Sequence, residues 1–307
     1  MDLRDRLGAF PDDCAPDPAV VASETPDGAP FARRVVEYAV EPGERIRAHL
    51  LVPDDPNGAG VLAVHQHAGE FALGKAEPAG LSANGEYHYG RHLAERGYTV
   101  LCPDLLCFEE RRPPEYARRE GSAPDGERYE RFEAMDRLLR GSTLQAKYLS
   151  DLAVGLDVLE ARPAVDAARL GAVGHSLGGQ ETLWLAWHDD RVAAAVASCG
   201  VSRLAAVQRE RVVHNFAMYV PGLLADDGGP DVDALFEGVA PTPLFVTNGT
   251  DDDIFPTAAT DALFEDVAAT YEAVDRGDRF EAVTFEGGHG FPAAVRDRAY
   301  AFLDDNL

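Results

Sequence analysis

The hexapeptide Gly-His-Ser-Leu-Gly-Gly at residues 174–179 decides the fold of this chain. It follows a short apolar run at residues 169–173 that is typical of a buried strand, and a helix is expected to begin near Gly178. In such a strand–turn–helix, the serine of Gly-x-Ser-x-Gly lies on a strained turn with its hydroxyl at the carboxyl edge of a sheet. Glycines two positions to either side are needed because the two backbones approach too closely for a Cβ atom. Ser176 is therefore a candidate nucleophile.

Two later segments supply candidate partners for Ser176. An apolar and β-branched run at residues 244–248 leads into a loop that carries three adjacent aspartates at 251–253. A second strand-like run at 280–284 leads into Glu-Gly-Gly-His-Gly, in which His289 lies between glycines. The chain order serine, acid, histidine is that of α/β-hydrolases and differs from the orders in chymotrypsin and subtilisin. The sequence thus predicts a triad of Ser176, His289 and one aspartate.

From about residue 31 to the C-terminus, the sequence resembles the α/β-hydrolase superfamily, and within it the dienelactone-hydrolase-like and acetyl-xylan-esterase-like branch. The segments that carry this resemblance are residues 65–67, 74–81, 96–104, 219–224 and 249–256. The resemblance implies an α/β-hydrolase fold, with a mostly parallel central sheet and helices on both faces. The alternation of strand-like and helix-like segments favours the same architecture, because such sheets are covered by helices on both sides.

The resemblance also selects among the three aspartates. Alignment on the pattern Gly-x-x-Asp-x-x-Phe-Pro places Asp252 in the position of the acid, with Asp253 as its main rival. Lys75 and Glu77 match a second pattern of the branch, and a structural ion pair or a substrate contact is expected of them. Dienelactone hydrolases carry cysteine at the turn, whereas this chain has Ser176, which favours ordinary ester hydrolysis.

Hydrolysis of an ester passes through an oxyanion, which needs N–H donors already in place. One donor is expected to be the backbone N–H of Leu177, directly after the nucleophile. The second is expected in the turn after the apolar run at residues 61–65, at either Gln66 or His67. His65 and His67 also have the spacing of two metal ligands, but no third ligand at a suitable spacing is evident. No metal and no other cofactor are expected.

Along the chain, residues 1–30 are rich in Pro, Asp and Ala without periodicity, and we expect an extended or loosely attached leader before a hydrolase domain over 31–307. Two stretches at about 109–141 and 201–240 interrupt the strand–helix rhythm. Insertions after strands lie at the carboxyl edge of the sheet, where ligands bind, so these two are expected to form a cap or pocket wall. The candidate substrate contacts in or beside them are Tyr219, His214 and Phe108, for each of which a packing role is the alternative.

The composition restricts the partners. With 53 acidic and 28 basic side chains the net charge is −25, which argues against nucleic acid or an anionic membrane as a partner. Only Lys75 and Lys147 are lysines, and a dense acidic surface with little lysine indicates a salt-rich cytoplasm; an ordinary acidic surface from a high-GC mesophile is the alternative. No run of eighteen apolar residues and no N-terminal signal are evident, so a cytoplasmic location is expected.

The expected function is hydrolysis of small-molecule carboxylic esters through an acyl-enzyme. The resemblance, and no single residue, favours short acyl groups and acetyl above all. The alternatives that use the same triad are an oligopeptidase-like amide hydrolase and a C–C bond hydrolase. A non-catalytic binding module built on a degenerate hydrolase is the alternative from another class of protein.

Overall fold

The central element of the fold is one nine-stranded sheet with the order β1-β2-β3-β5-β4-β6-β7-β8-β9. The computed structural model describes residues 2–113, 125–211, 215–225 and 231–307. The strands are β1 Ala19–Glu24, β2 Phe31–Glu41, β3 Glu44–Pro53, β4 Gly60–Val64, β5 Thr99–Pro103, β6 Leu170–His175, β7 Val192–Ser198, β8 Leu244–Gly249 and β9 Phe280–Phe285. Strands β1, β2 and β3 pair antiparallel with their neighbours, and the six strands β4 to β9 pair parallel with one another.

The pattern of each strand explains its place in the sheet. Strands β4, β5 and β6 are continuous apolar runs with every residue buried, as expected for central parallel strands covered on both faces. In the hairpin of β2 and β3, buried and partly exposed residues alternate more, and the hairpin lies nearer the edge of the sheet. The carboxyl ends of β4, β6 and β8 therefore meet at one edge, and the loops that follow them carry the predicted site residues.

Helices cover both faces of the sheet, and each face has its own apolar cluster. The α-helices are α1 Leu3–Leu7, α2 Tyr89–Glu95, α3 Glu127–Leu139, α4 Leu144–Glu160, α5 Leu177–His188, α6 Leu204–Arg209, α7 Asp233–Val239, α8 Thr257–Ala273 and α9 Ala293–Asn306. Helices α2 and α9 pack on one face, and α4, α5 and α8 on the other. Short 3₁₀ turns occupy residues 74–76, 85–87, 109–111 and 277–279. No helix within the described ranges is long and apolar enough to cross a bilayer.

The N-terminal segment, expected as an extended or loosely attached leader, packs on the domain through α1 and joins its sheet through the extended strand β1. Leu3 and Leu7 of α1 are buried in the larger apolar cluster. The carbonyl of Leu7 accepts a hydrogen bond of 2.9 Å from the hydroxyl of Thr143. Strand β1 then extends the sheet by pairing antiparallel with β2, from Ala19 opposite Glu37 onward. Edge pairing and the burial of two leucines hold the segment, and neither is visible as a periodic pattern in residues 1–30.

Both lysines of the chain are buried in ion clusters. Lys147 lies 2.5 Å from Glu44 and 2.9 Å from Asp151, and its side chain is 0% exposed. Lys75 lies 2.6 Å from Asp104. Glu77, by contrast, bonds to an amide, so the two residues do not form the ion pair with each other. Lys75 also contacts Glu109 and Glu110 at the start of the first insertion. This lysine therefore fixes where the insertion leaves the sheet.

Candidate active site

Ser176 lies on the strained turn between β6 and α5. Its backbone has φ 55° and ψ −120°, a conformation that L-residues rarely adopt. A Cβ atom on Gly174 would lie 2.2 Å from the carbonyl carbon of Gly178, and one on Gly178 would lie 2.0 Å from the carbonyl oxygen of Val64. The backbone N–H of Ser176 donates to the carbonyl of Ser198 at 2.8 Å, which ties the turn to β7. The glycines are therefore required by close backbone contact, as the motif predicted.

The loop after β8 presents Asp252 and turns the two adjacent aspartates to the surface. The Asp252 Oδ1 accepts backbone hydrogen bonds from Ile254 at 2.8 Å and Phe255 at 2.9 Å, and its side chain is 0% exposed. Its Oδ2 lies 2.8 Å from Nδ1 of His289. Burial would raise the pKa of Asp252, but the hydrogen bond and charge of His289 and the two backbone N–H groups hold it below its ordinary value. Asp252 therefore stays a carboxylate.

His289 is oriented by Asp252 and leaves its other nitrogen toward the cavity. The Nε2 atom is buried and has no hydrogen-bond partner among the described residues. A Cβ atom on Gly249 would lie 2.3 Å from the carbonyl oxygen of Gly288, so glycine is needed where this loop crosses the end of β8. The backbone N–H of Phe291 donates to Glu86 at 2.6 Å and fixes the far side of the loop. The ring can therefore exchange a proton through Nε2 alone.

His175, to which the sequence analysis assigned no role, packs against the ring of His289. Its ring lies 4.9 Å from the ring of His289 and stacks on Tyr87 at 4.8 Å. Its Nδ1 lies 3.0 Å from the hydroxyl oxygen of Ser198. Burial, with a smaller effect from nearby His289, lowers the pKa of His175 well below its ordinary value. A neutral ring beneath His289 adds no positive charge that would oppose protonation of His289.

The turn after β4 forms the other side of the site. The side-chain amide of Gln66 donates to Oε1 of Glu77 at 2.9 Å, and the backbone N–H of Gln66 is also directed at this carboxylate. Burial raises the pKa of Glu77 to about 7, and the two hydrogen bonds from Gln66 oppose that rise. Glu77 lies behind Gln66 and is 3% exposed. The residue that follows, His67, reaches the cavity wall.

The side chain of His67 is held by the first insertion. Its Nε2 lies 2.9 Å from Oε2 of Glu130 in α3, and its Nδ1 accepts a backbone hydrogen bond of 3.0 Å from Gly69. The rings of Phe71 and Phe108 meet the imidazole edge-on at 4.8 Å and 5.3 Å. Sequence reasoning missed Glu130, because it is one of several acidic residues in a charged helix and only the fold shows that it is buried.

These two sides enclose a cavity of about 780 Å³. Ser176, His289 and acidic Glu127 of α3 all line it. The other lining residues are Gln66, His67, Ala68, Gly69, Phe71, Tyr87 and Ile254. The structure therefore brings the predicted nucleophile and base to one cavity, beside the turn from which the second oxyanion donor was expected.

Of the three candidate substrate contacts, the two that the structure describes, Phe108 and Tyr219, do not line the cavity. Phe108 is fully buried and stacks on Phe71 at 5.0 Å, so it packs behind the wall and does not line the cavity. Tyr219 is 37% exposed and is not among the residues that line the cavity. His214 falls outside the described residues. The aromatic residues that do line the cavity, Phe71 and Tyr87, come from the loops after β4.

The ring nitrogens of the suspected metal pair are occupied by other groups. In His65, Nδ1 bonds to the carbonyl of Gln66 at 2.8 Å and Nε2 accepts from the backbone N–H of Leu105 at 3.1 Å. Cys199, Asp252 and His289 do place ligand atoms within 4.8 Å of one another. However, Oδ2 of Asp252 and Nδ1 of His289 are bonded to each other at 2.8 Å, and Sγ of Cys199 donates to the carbonyl of Gly290 at 3.3 Å. The donor set therefore does not favour a cation.

Comparison with known sequences gives the family. The model of the dienelactone hydrolase family matches residues 46–302, and the chain belongs to this family. YtaP of Bacillus subtilis (strain 168), named as a hydrolase, is 28% identical over 268 residues, which cover 85% of this chain and 83% of YtaP. Dipeptidyl-peptidase 5 of Porphyromonas gingivalis is 30% identical over 115 residues, which cover 37% of this chain and 14% of that protein.

Solved structures share the fold. A glucuronoyl esterase from Solibacter usitatus has a TM-score of 0.70 at 14% identity, over 98% of this chain and 88% of that chain. Acetyl xylan esterase 1 from Thermoanaerobacterium sp. has a TM-score of 0.62 at 16% identity, over 100% and 99% of the two chains. The predicted α/β-hydrolase fold and the predicted membership of a hydrolase family are confirmed.

Proposed function

We propose that this member of the dienelactone hydrolase family is a serine hydrolase of carboxylic esters. The observation that carries the proposal is the contact of Asp252 with Nδ1 of His289, whose Nε2 has no partner among the described residues, in a cavity that His289 and Ser176 both line. A serine on a strained turn, a base oriented by a buried carboxylate and a cavity above both are the parts that acyl transfer needs.

In the proposed reaction, Oγ of Ser176 attacks the carbonyl carbon of the ester while Nε2 of His289 takes the hydroxyl proton. The tetrahedral intermediate collapses by breaking the bond to the alcohol oxygen, and His289 returns the proton to that oxygen. Water then attacks the acyl-enzyme by the same route, which releases the acid and restores Ser176. Asp252 keeps Nδ1 protonated and stabilises the imidazolium in both halves.

For the oxyanion, we propose the backbone N–H groups of Leu177 and His67. Leu177 begins α5, so its N–H lies at the positive end of that helix. Between the two candidates for the second donor, Gln66 is disfavoured because its backbone N–H is directed at the Glu77 carboxylate. An N–H that is directed at Glu77 points away from an oxyanion in the cavity, which supports His67.

We propose a short acyl group on a larger alcohol. The cavity of about 780 Å³ is far larger than an acetyl group, so most of it must accept the alcohol side of the ester. Its aromatic and aliphatic lining, Phe71, Tyr87 and Ile254, offers surfaces on which a ring can pack. The structural neighbour named as an acetyl xylan esterase has, by its name, a short acyl group (acetyl) on a much larger partner (xylan).

We also propose that the protein works in a reducing, salt-rich cytoplasm. Cys102, Cys107 and Cys199 are free thiols buried among core residues. Both lysines are sequestered in ion clusters, and the net charge is −25. A surface of this kind gains stability when salt screens its carboxylates.

Replacement of Ser176 by alanine tests the proposal. Ser176→Ala should abolish hydrolysis of p-nitrophenyl acetate and labelling by a fluorophosphonate probe, whereas Ser202→Ala, which removes another buried hydroxyl outside the cavity, should leave both unchanged. A series of p-nitrophenyl esters beside an anilide of the same acyl group separates esterase from amide hydrolase. Labelling that persists in Ser176→Ala would contradict the assignment, and faster turnover of the anilide would favour the peptidase alternative.

A further inference from the structure

The carboxylate of Glu130 joins three segments, two of which border the cavity. It belongs to α3 of the first insertion, its side chain is 0% exposed, and its Oε2 lies 2.9 Å from Nε2 of His67. Its Oε1 accepts the backbone N–H of Phe216, in the second insertion, at 3.1 Å. One buried carboxylate of the first insertion thus bonds to the turn after β4 and to the second insertion.

The hydrogen bonds of His67 define its protonation. Because Nδ1 accepts the N–H of Gly69, it carries no proton, so the proton of the neutral ring is on Nε2 and is donated to Glu130. Both nitrogens are engaged, and Phe71 and Phe108 contact the ring from the sides. The ring is therefore a fixed link between Glu130 and the backbone of residues 67–69.

We infer that Glu130 is a positioning residue for the hydrolysis: through His67 it holds the backbone N–H that completes the oxyanion hole. The inference rests on the proposed function, because it concerns the same site. An oxyanion donor is useful only when it lies at hydrogen-bond distance from the developing charge, so a group that fixes its position acts on the transition state. The substrate itself does not contact Glu130, which is fully buried.

Substitution by glutamine breaks this link without changing the volume of the side chain. A carboxylate accepts from both His67 and Phe216, whereas an amide has one oxygen and one NH₂ group. If the amide oxygen keeps the N–H of Phe216, its NH₂ group faces Nε2 of His67. The ring must then move its proton to Nδ1, where it opposes the N–H of Gly69. The turn that carries the proposed donor loses its internal hydrogen bond.

The experiment compares Glu130→Gln, His67→Phe, the double variant and the control Asp136→Asn with the unchanged protein. Asp136 lies on the same helix in an exposed ion pair with Arg140, so its variant reports the general effect of removing a carboxylate from α3. For each protein we would measure kcat and KM on p-nitrophenyl acetate and the melting midpoint. The tautomer of His67 is read by ¹⁵N NMR of the imidazole, with His67→Phe identifying the signal.

We expect Glu130→Gln to lower kcat by about 10- to 100-fold, less than the loss of an oxyanion donor outright, with KM within about threefold. His67 should change from the Nε2-H to the Nδ1-H tautomer. The double variant should be no slower than the slower single variant, because both remove one link. A kcat within about twofold of the unchanged protein, or losses that multiply in the double variant, would overturn the inference.

Two measurements separate this inference from the proposed function and from misfolding. If fluorophosphonate fails to label Ser176 in the unchanged protein, the proposed function is wrong. If labelling is normal and only the kcat of Glu130→Gln is unaffected, the positioning role is wrong. Should Glu130→Gln not fold, the unchanged protein still decides, because a His67 signal with its proton on Nδ1 contradicts the geometry on which the role depends.

Discussion

Two histidine–carboxylate pairs face each other across one cavity, and they differ in what their second nitrogen does. In the pair of His289 and Asp252, Nδ1 binds the carboxylate and Nε2 has no partner within the described residues. In the pair of His67 and Glu130, Nε2 binds the carboxylate and Nδ1 accepts the N–H of Gly69. The separations are nearly equal, 2.8 and 2.9 Å.

The difference shows why the distance between a histidine and a carboxylate does not by itself identify a catalytic base. A base needs one nitrogen oriented and the other available to the reacting proton. Only His289 satisfies both conditions. His67, with both nitrogens engaged, is suited to holding a backbone segment in place. The following predictions test this division of roles.

The largest difference is expected between the two histidines themselves. His289→Ala should lower kcat on p-nitrophenyl acetate by about 10⁴-fold or more, because the base and its orientation are both lost. His67→Phe keeps an aromatic ring in the wall and should cost only about 10- to 100-fold, the cost of a displaced oxyanion donor. Steady-state kinetics on the two purified variants make the comparison. Similar losses in both would remove the distinction between base and support.

The carboxylate of the catalytic pair should matter almost as much as its histidine. Asp252→Asn leaves the shape of the loop but favours the wrong tautomer of His289, an effect worth up to about 10⁴-fold in a serine protease. Asp251→Asn and Asp253→Asn change exposed side chains and should cost about tenfold or less. Turnover of the three variants decides among the aspartates. If Asp253→Asn is the slow one, the assignment is displaced by one residue.

The contact between Asp252 and His289 could be predicted because each of them lies in the loop that follows a strand. Glycines that the backbone requires surround Ser176 and His289, and such local constraints leave a pattern in the chain. The strand order of the sheet then brings the ends of β6, β8 and β9 together.

The supporting pair could not be predicted in the same way. His67 and Glu130 are 63 residues apart, and α3 lies in an insertion with no strand to fix its register. Phe108 looked like a pocket residue because it is a large apolar side chain beside an insertion, yet it packs behind the wall. The pairing of β1 with β2 depends on edge hydrogen bonds that any extended segment can form. Contacts across distant segments leave no periodic signal.

Added salt should stabilise the fold by screening the surface carboxylates, and it should have much less effect on the two buried histidine–carboxylate pairs. At about 0.01 M salt charges interact over roughly 30 Å, and at 1 M over about 3 Å, so screening should stabilise a fold with a net charge of −25. We expect the melting midpoint to rise by about 10 °C from about 0.05 to 3 M KCl, which at about 2 °C per kcal/mol is about 5 kcal/mol. Calorimetry checks this, and a flat series would favour the mesophilic interpretation.

The same salt series should leave the chemistry of the folded enzyme almost unchanged. Asp252 and Glu130 are both 0% exposed in their side chains, and buried pairs are screened much less than exposed charges. The measurement is kcat per active site, titrated with a fluorophosphonate at each salt concentration. If kcat rises with salt as the melting midpoint does, then salt also screens the two buried histidine–carboxylate pairs.

The smallest effect concerns a third carboxylate, Glu77, whose partner is an amide instead of an imidazole. His289 holds the pKa of Asp252 low, whereas burial beside neutral Gln66 raises the pKa of Glu77 from 4.5 to about 7. Between pH 4.5 and about 7, Glu77 has lost its proton in the unfolded chain but keeps it in the folded protein. The contribution of Glu77 to stability is therefore present below pH 4.5 and is lost as the pH rises to about 7.

Glu77→Gln should remove this loss, because glutamine does not ionise and its oxygen can still accept from Gln66. A shift from 4.5 to about 7 corresponds to about 3 kcal/mol, or about 5 °C in the melting midpoint. We call the melting midpoint of a variant minus that of the unchanged protein its offset. The offset of Glu77→Gln should therefore be about 5 °C larger at pH 8 than at pH 4.5. Glu95→Gln, which removes an exposed carboxylate paired with Arg91, is the control and should show little change in offset. An offset for Glu77→Gln that is equal at both pH values would mean that Gln66 keeps the carboxylate ionised throughout, and that the imidazole partner is not what distinguishes Asp252.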